Sequence, residues 1–202
     1  MMSSLTLKPH EIHVWRICLD HGAVPPPTAG ESARAARLAS PVCQSRYLRA
    51  HGALRAILGR YTSARLDFAV HEKGKPYLCH APEIQFNFAH SSDTALVAVA
   101  LNTPVGVDLE HIRPIAEHAA IAERYFPPGD RQAGDDEDFF RRWTRFEAVL
   151  KAQGVGLYGA GAEPEGDWSV YELDAGPGFA AAVAVPGNGF SVVVYDYGEN
   201  TE

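Results

Sequence analysis

Asp138-Phe139-Phe140-Arg141-Arg142-Trp143-Thr144-Arg145-Phe146-Glu147-Ala148-Val149-Leu150-Lys151-Ala152-Gln153 reads as a helix, and Gly154 follows it as a natural left-handed cap. At about 100 degrees per residue, Phe140 and Phe146 fall about 60 degrees either side of Trp143 and Leu150 about 20 degrees away, which predicts a core face centred on Trp143. Glu147 falls about 40 degrees from Trp143, inside the aromatic stripe. A carboxylate placed there must be paired, bind a metal or take up a proton. Lys151, one turn on, is one candidate partner along the helix surface. The acidic run Asp135-Asp136-Glu137-Asp138 suits the positive end of the helix dipole.

Outward from this helix the chain alternates in kind. Upstream, Val105 to Leu109 reads as a strand, and in Val107-Asp108-Leu109-Glu110 the two acids project to one face because they are two residues apart. A solvated strand end would explain such a pair, and so would a pair of hard oxygen ligands. Other strand-like runs are His13 to Leu19, Asp67 to Val70, Pro76 to Leu78, Ile84 to Phe88, Ala95 to Leu101, Trp168 to Leu173, Phe179 to Val185 and Phe190 to Tyr195. Glu31 to Tyr61 predicts two helices split near Pro41, after a proline-rich loop from Val24 to Gly30, and Ile115 to Tyr125 predicts a third. Helices followed by strands occur twice. The class is α+β, with a duplicated unit suggested by element order.

Composition narrows the function. Eighteen Lys and Arg against 25 Asp and Glu give a formal net charge of −7, which argues against general phosphate neutralisation on nucleic acid. The 46% hydrophobic content fits a packed core, and no run reaches the roughly 18 apolar residues of a membrane span. The first twenty residues lack the pattern of a signal or transit peptide, so the expected compartment is the cytoplasm. Cys18, Cys43 and Cys79 are odd in number and lack CxxC spacing, as expected of reduced thiols.

Cationic groups gather locally. Arg34 and Arg37 lie at i, i+3 on the first predicted helix, and Arg46, Arg49 and Arg55 on the next. Solvated helix faces would carry such arginines, and so would a site for a phosphorylated ligand. Gly74-Lys75-Pro76 reads as a turn with a positive tip, and Phe86-Asn87-Phe88-Ala89-His90-Ser91 as a strand ending in donors suited to phosphate oxygens. Together, Asp108, Glu110 and Glu147 could hold magnesium with Lys151 toward a phosphate, the apparatus of phosphoryl-type transfer. Gly154-Val155-Gly156-Leu157-Tyr158-Gly159 matches GxGxxG but follows a helix, so it reads as a loop rather than a dinucleotide fingerprint. Cys79 and His80 with His71 or His90 lack zinc spacing, and no GxSxG elbow is present.

The ordered motifs Gly74-Lys75-Pro76, Phe86-Asn87-Phe88-Ala89-His90-Ser91, Gly106-Val107-Asp108-Leu109-Glu110 and Trp143-Thr144-Arg145-Phe146-Glu147-Ala148-Val149-Leu150-Lys151 resemble those of the 4′-phosphopantetheinyl transferases, in the larger Sfp-type branch. The likeness runs from about Arg34 to Leu157. It implies a pseudo-dimer of two similar α+β subdomains, residues 1–103 and 104–202, with coenzyme A and Mg2+ between them. The implied reaction moves 4′-phosphopantetheine from coenzyme A to a serine hydroxyl of an acyl or peptidyl carrier protein, releasing adenosine 3′,5′-bisphosphate. By motif, Asp108, Glu110 and Glu147 would bind metal, Glu147 would also be the base, and Lys151 would contact phosphate or assist the leaving group. Lys75, His90 and Ser91, joined by Arg34 or Arg37 and by Arg46, would bind coenzyme A. The resemblance also implies a monomer. One departure stands out: the family usually has Lys immediately before its helix Glu, where this chain has Phe146. A coenzyme A or carrier-binding protein with degenerate catalysis, and a metal-dependent nucleotide pyrophosphohydrolase, are the alternative readings.

Overall fold

A computed structural model of the chain describes residues 5–131, 134–156 and 166–198. Two runs of elements repeat one plan. The first is β1 (Glu11–Cys18), α1 (Ala29–Ala35), α2 (Pro41–Leu58), a small ribbon of β2 (Phe68–Val70) and β3 (Pro76–Leu78), then β4 (Ile84–Ser91) and β5 (Thr94–Leu101). The second is β6 (Gly106–His111), α3 (His118–Tyr125), α4 (Asp136–Gln153), β7 (Trp168–Glu172) and β8 (Phe179–Pro186), and β9 (Ser191–Asp196) closes the chain's described part.

Local chemistry sets the helix ends. Ser40 accepts from the Cys43 amide and Pro41 occupies the first turn of α2, where no amide partner is needed. Asp135 accepts from the Asp138 amide at the start of α4, and Gly154 ends it at φ 70°, the left-handed region anticipated for the cap. The third helix begins at His118 rather than near Ile115, and the Ile115 amide donates instead to the Asp136 carboxylate.

The sheets follow from which strands are apolar on both faces. Thr94-Ala-Leu-Val-Ala-Val-Ala-Leu101 and Phe179-Ala-Ala-Ala-Val-Ala-Val-Pro186 are buried throughout their interiors, and each is the middle of three antiparallel strands. The orders are β4-β5-β1-β9 and β6-β8-β7. The last strand departs from the sequence-based halves: β9 leaves the second unit and pairs in parallel with β1, Glu11 opposite Ser191.

The two sheets meet face to face through Ile12, Val14, Leu96 and Ala98 on one side and Val107, Leu109, Ala181 and Val183 on the other. Their outer faces each carry a long helix. Trp15, Ile17, Val97 and Val99 pack on Leu54, Ile57 and Leu58 of α2, while Ala182 and Ala184 pack on Ala148 and Val149 of α4. The molecule is thus layered helix, sheet, sheet, helix. No helix among the described residues is long and apolar enough to cross a membrane.

Candidate active site

Strand β6 presents Asp108 and Glu110 opposite Ala182 and Ala180 of β8, on the face that carries α4. The helix comes close because β6 starts with glycine. A Cβ on Gly106 would stand 2.0 Å from the Ala148 carbonyl oxygen and 2.3 Å from the Ala152 amide, so no other residue allows α4 to lie at this depth. Of the predicted core face, Phe140 and Leu150 are fully buried, and burial runs on through Thr144, Ala148 and Ala152, so its centre is turned away from Trp143. Trp143 and Phe146 are half-buried and join Phe126 and Phe139 in an aromatic cluster beside α3. The ring of Phe146 stands 6.0 Å from Phe126, edge on.

At this close approach Lys151 of α4 meets Asp108 of β6, and Glu147 lies near enough to feel the charges of Asp108, Glu110 and Lys151. Asp108 is only 4% exposed, and Lys151 donates to its Oδ1 at 2.5 Å, whereas its buried Oδ2 has no hydrogen-bond partner among the described residues. Burial raises the Asp108 pKa, against the pull of the Lys151 ammonium. Glu147 is half-buried, and desolvation followed by the Asp108 charge raises its pKa as well, with Glu110 adding to the rise and Lys151 opposing it. The lysine that sequence spacing offers to Glu147 therefore bridges helix to strand and holds Asp108. Among the described residues, no group of three or more His, Cys, Asp or Glu is already arranged to hold a metal ion.

The wall opposite α4 comes from β4. Ser91 Oγ donates to Glu110 Oε2 at 3.3 Å and accepts from the His111 amide at 3.0 Å, while the Asn87 side chain accepts from the Val107 amide at 2.9 Å. Asn87 and Ser91 lie four residues apart on one face of β4, so two side chains stitch the edge of one sheet to the edge of the other. His90 points to the opposite face, toward α2. Lost solvation, then the Lys151 charge, lowers its pKa. Phe88 and His51 continue the line, with ring centroids 5.7 Å from His90 to Phe88 and 6.1 Å from Phe88 to His51.

The remaining cations are distributed differently. Arg34 and Arg37 are exposed on and just after α1. Arg46 forms a two-pronged pair with Asp20 at 2.6 and 2.8 Å. Lys75 donates to the Val105 carbonyl at 3.0 Å and the Ala152 carbonyl at 2.8 Å, capping the end of α4, and burial pulls its pKa down to about 8. Arg113 and His51 lie beside these groups although sequence reading singles out neither, and Asn87 and Gly106, read there only as parts of longer motifs, hold the edge of β6 and admit α4. An arginine three residues beyond a strand acid is a local signal for Arg113; the others depend on contacts between distant segments. Leu157, Tyr158 and Gly159 of the GxGxxG match lie outside the described residues.

Residues 104–183, which contain β6 and α4, match the model of the 4′-phosphopantetheinyl transferase superfamily. Over 226 aligned residues the chain is 33% identical to the 4′-phosphopantetheinyl transferase HetI of Nostoc sp., spanning 96% of this chain and 95% of the relative. It is 38% identical over 103 residues to the 4′-phosphopantetheinyl transferase psf-1 of Bacillus pumilus, 46% of this chain and 42% of the relative. With the 4′-phosphopantetheinyl transferase AcpT of Escherichia coli (strain K12) the identity is 33% over 107 residues, 50% of this chain and 55% of the relative. The chain belongs to the 4′-phosphopantetheinyl transferases, enzymes that move the phosphopantetheine arm onto carrier proteins.

Proposed function

We propose that this chain transfers 4′-phosphopantetheine from coenzyme A to a serine hydroxyl of an acyl or peptidyl carrier protein, through a site formed by Asp108, Glu110, Glu147 and Lys151. The observation that carries the reading is the meeting of Asp108 from β6 with Lys151 from α4, beside a half-buried Glu147. The serine oxygen attacks the phosphorus that bears the pantetheine arm. Its bond to the adenosine-side phosphate breaks, and adenosine 3′,5′-bisphosphate leaves.

Glu147 takes the proton of the attacking hydroxyl. Its raised pKa suits a base that works nearer neutral pH than an ordinary carboxylate does. Lys151 offers positive charge to the leaving phosphate, and His90 on one face of β4 and Ser91 on the other flank the end of that strand, where phosphate oxygens would be received once Ser91 turns its hydroxyl from Glu110. Arg34 and Arg37 extend the positive path, with Arg46 at the same end of the sheet as His90. Lys75 contributes the one ammonium hydrogen that its two carbonyl partners leave over.

Asp108, Glu110 and Glu147 fit Mg2+ in their chemistry: they are hard oxygen donors, and among the described residues the buried Oδ2 of Asp108 has no hydrogen-bond partner. When bound, such an ion neutralises charge on the pyrophosphate and the leaving group. Phe146 adds packing where the family usually has lysine, and the reading needs no charge from it. The two subdomains are taken as residues 1–103 and 104–202, with β9 of the second half crossing over to extend the sheet of the first. A monomer in the cytoplasm, with neither nucleic acid nor membrane as partner, completes the reading.

The test is intact-mass analysis of apo carrier proteins incubated with this protein, coenzyme A and Mg2+. A gain of one phosphopantetheine group on the carrier serine is expected. No gain across acyl and peptidyl carriers, with coenzyme A still bound, would favour a binding protein. Release of 4′-phosphopantetheine without any carrier would favour a pyrophosphohydrolase.

A further inference from the structure

We infer that Arg113 is a positioning residue of the carboxylate site: it holds Glu110 and the end of β6 against α4, and so sets the spacing between the strand acids and the helix acid. The inference rests on the reading of Asp108, Glu110 and Glu147 as a cation site.

Three contacts define the arrangement. Arg113 Nη1 donates to Glu110 Oε2 at 3.1 Å and to the His111 carbonyl at 2.8 Å. Its guanidinium carbon stands 4.9 Å from the centre of the Phe140 ring. Phe140 is 2% exposed, so the surface on which the guanidinium lies is fixed. Phe140 and Glu147 are seven residues apart on α4, about two turns, and therefore share one stripe of that helix. Arg113 thus bonds the strand carboxylate with its edge and rests its face on the helix that carries the other acid.

Magnitudes assign this contact to geometry rather than stability. The Arg113 side chain is 50% exposed, and an ion pair in that setting is worth about 0–1 kcal/mol. Its direction is another matter. Glu110 Oε2 receives both Arg113 and Ser91, and the carboxylate is held from two sides by groups that themselves have fixed partners. A planar fork can hydrogen-bond at its edge while stacking through its face, which an ammonium cannot do. Groups of this kind, behind the ligands, commonly change metal affinity by about 10–100-fold when removed.

The experiment measures Mn2+ binding to the full chain by paramagnetic resonance, alongside thermal melting and coenzyme A binding in EDTA. Arg113→Lys keeps the charge and loses the fork; Arg113→Gln removes the charge; Phe140→Leu removes the stacking surface. The lysine and glutamine variants are expected to bind Mn2+ about tenfold more weakly or worse, with coenzyme A binding in EDTA unchanged. In the transfer assay, the apparent KM for metal rises in proportion while kcat at saturating metal stays near the parent value. Phe140→Leu shifts Mn2+ affinity in the same direction by a smaller factor. Unchanged Mn2+ affinity in both arginine variants overturns the inference, as does a large fall in melting temperature for Arg113→Lys, which would make the residue a structural one. A parent protein that transfers phosphopantetheine but binds no Mn2+ overturns the cation site itself, and this inference with it.

Discussion

The two units share a plan of strand, two helices and two strands, with the final strand central in each sheet. Helices α2 and α4 have equal length and start from a side-chain cap at Ser40 or Asp135. Superposed end to end, α2 has Gly52 where α4 has Glu147 and Ala56 where α4 has Lys151. Aligning β5 with β8 sets Trp15 of β1 against Asp108 of β6, Ile17 against Glu110, and His13 against Gly106. Every candidate site position of the second unit is thus apolar, small or internally bonded in the first.

Side-chain size follows the same division. The first unit fills the space between helix and sheet with Trp15, Ile17, Val97 and Val99, and Tyr61 accepts from Trp15 at 2.7 Å and lies 2.9 Å from His13 Nδ1. Over Gly52 a Cβ would meet Val24 and the Pro25 carbonyl at 3.0–3.1 Å, because the proline-rich loop closes there, held by Arg49 on the Gly22 carbonyl and Arg55 on the Pro26 carbonyl. The second unit keeps that layer thin with Gly106, Ala148, Ala152, Ala182 and Ala184, and the depth gained lets polar side chains reach each other. The two units differ by volume: one is filled by large side chains between helix and sheet, and the other is thin where its candidate site lies.

Substitutions in one unit should therefore not mimic those in the other. The largest effect is expected from Glu147→Gln, which should lower kcat at least about 100-fold with the melting temperature nearly unchanged; near-parent turnover in the mass assay would remove Glu147 as the base. Gly106→Ala should come next, destabilising by about 1–3 kcal/mol in urea unfolding and lowering turnover too, since α4 must move outward from Asp108. Tyr61→Phe tests the first unit. It strips Trp15 and His13 of their shared buried partner and should cost about 1–3 kcal/mol of stability while leaving kcat alone.

The smallest and most specific effect belongs to Lys75, whose folded pKa is about 8 against a usual 10.5. Below about pH 8 both folded and unfolded chains carry the proton, so Lys75 adds no pH dependence. Between about 8 and 10.5 the unfolded chain binds more protons, and its contribution to stability rises with pH. Lys75→Met should flatten that rise in urea midpoints taken across pH 7 to 10, while leaving two carbonyls without a donor. An identical pH slope in the variant would dissociate the titration from Lys75.

Legibility in the sequence tracks how local each cause is. Capping residues, the helix over α4 and the doubly apolar runs of β5 and β8 announce themselves, because period and caps are properties of neighbouring residues. The facing of Asp108 with Glu110 is equally local, since alternation in a strand decides it. What spacing leaves open is choice among partners: Lys151 stands one turn from Glu147 yet bonds Asp108, because Gly106 draws α4 down onto β6. Lys75 reads as a charged turn tip and ends on two carbonyls from the far unit. The parallel pairing of β9 with β1 joins segments about 180 residues apart, a match that no periodicity records.

That pairing carries a consequence for synthesis. As the chain emerges from a ribosome, the outer edge of β1 stays open until the roughly 180 residues that separate it from β9 have followed. The first sheet is therefore the last thing completed, and a nascent or truncated chain displays a long apolar strand margin ready to zip onto another copy.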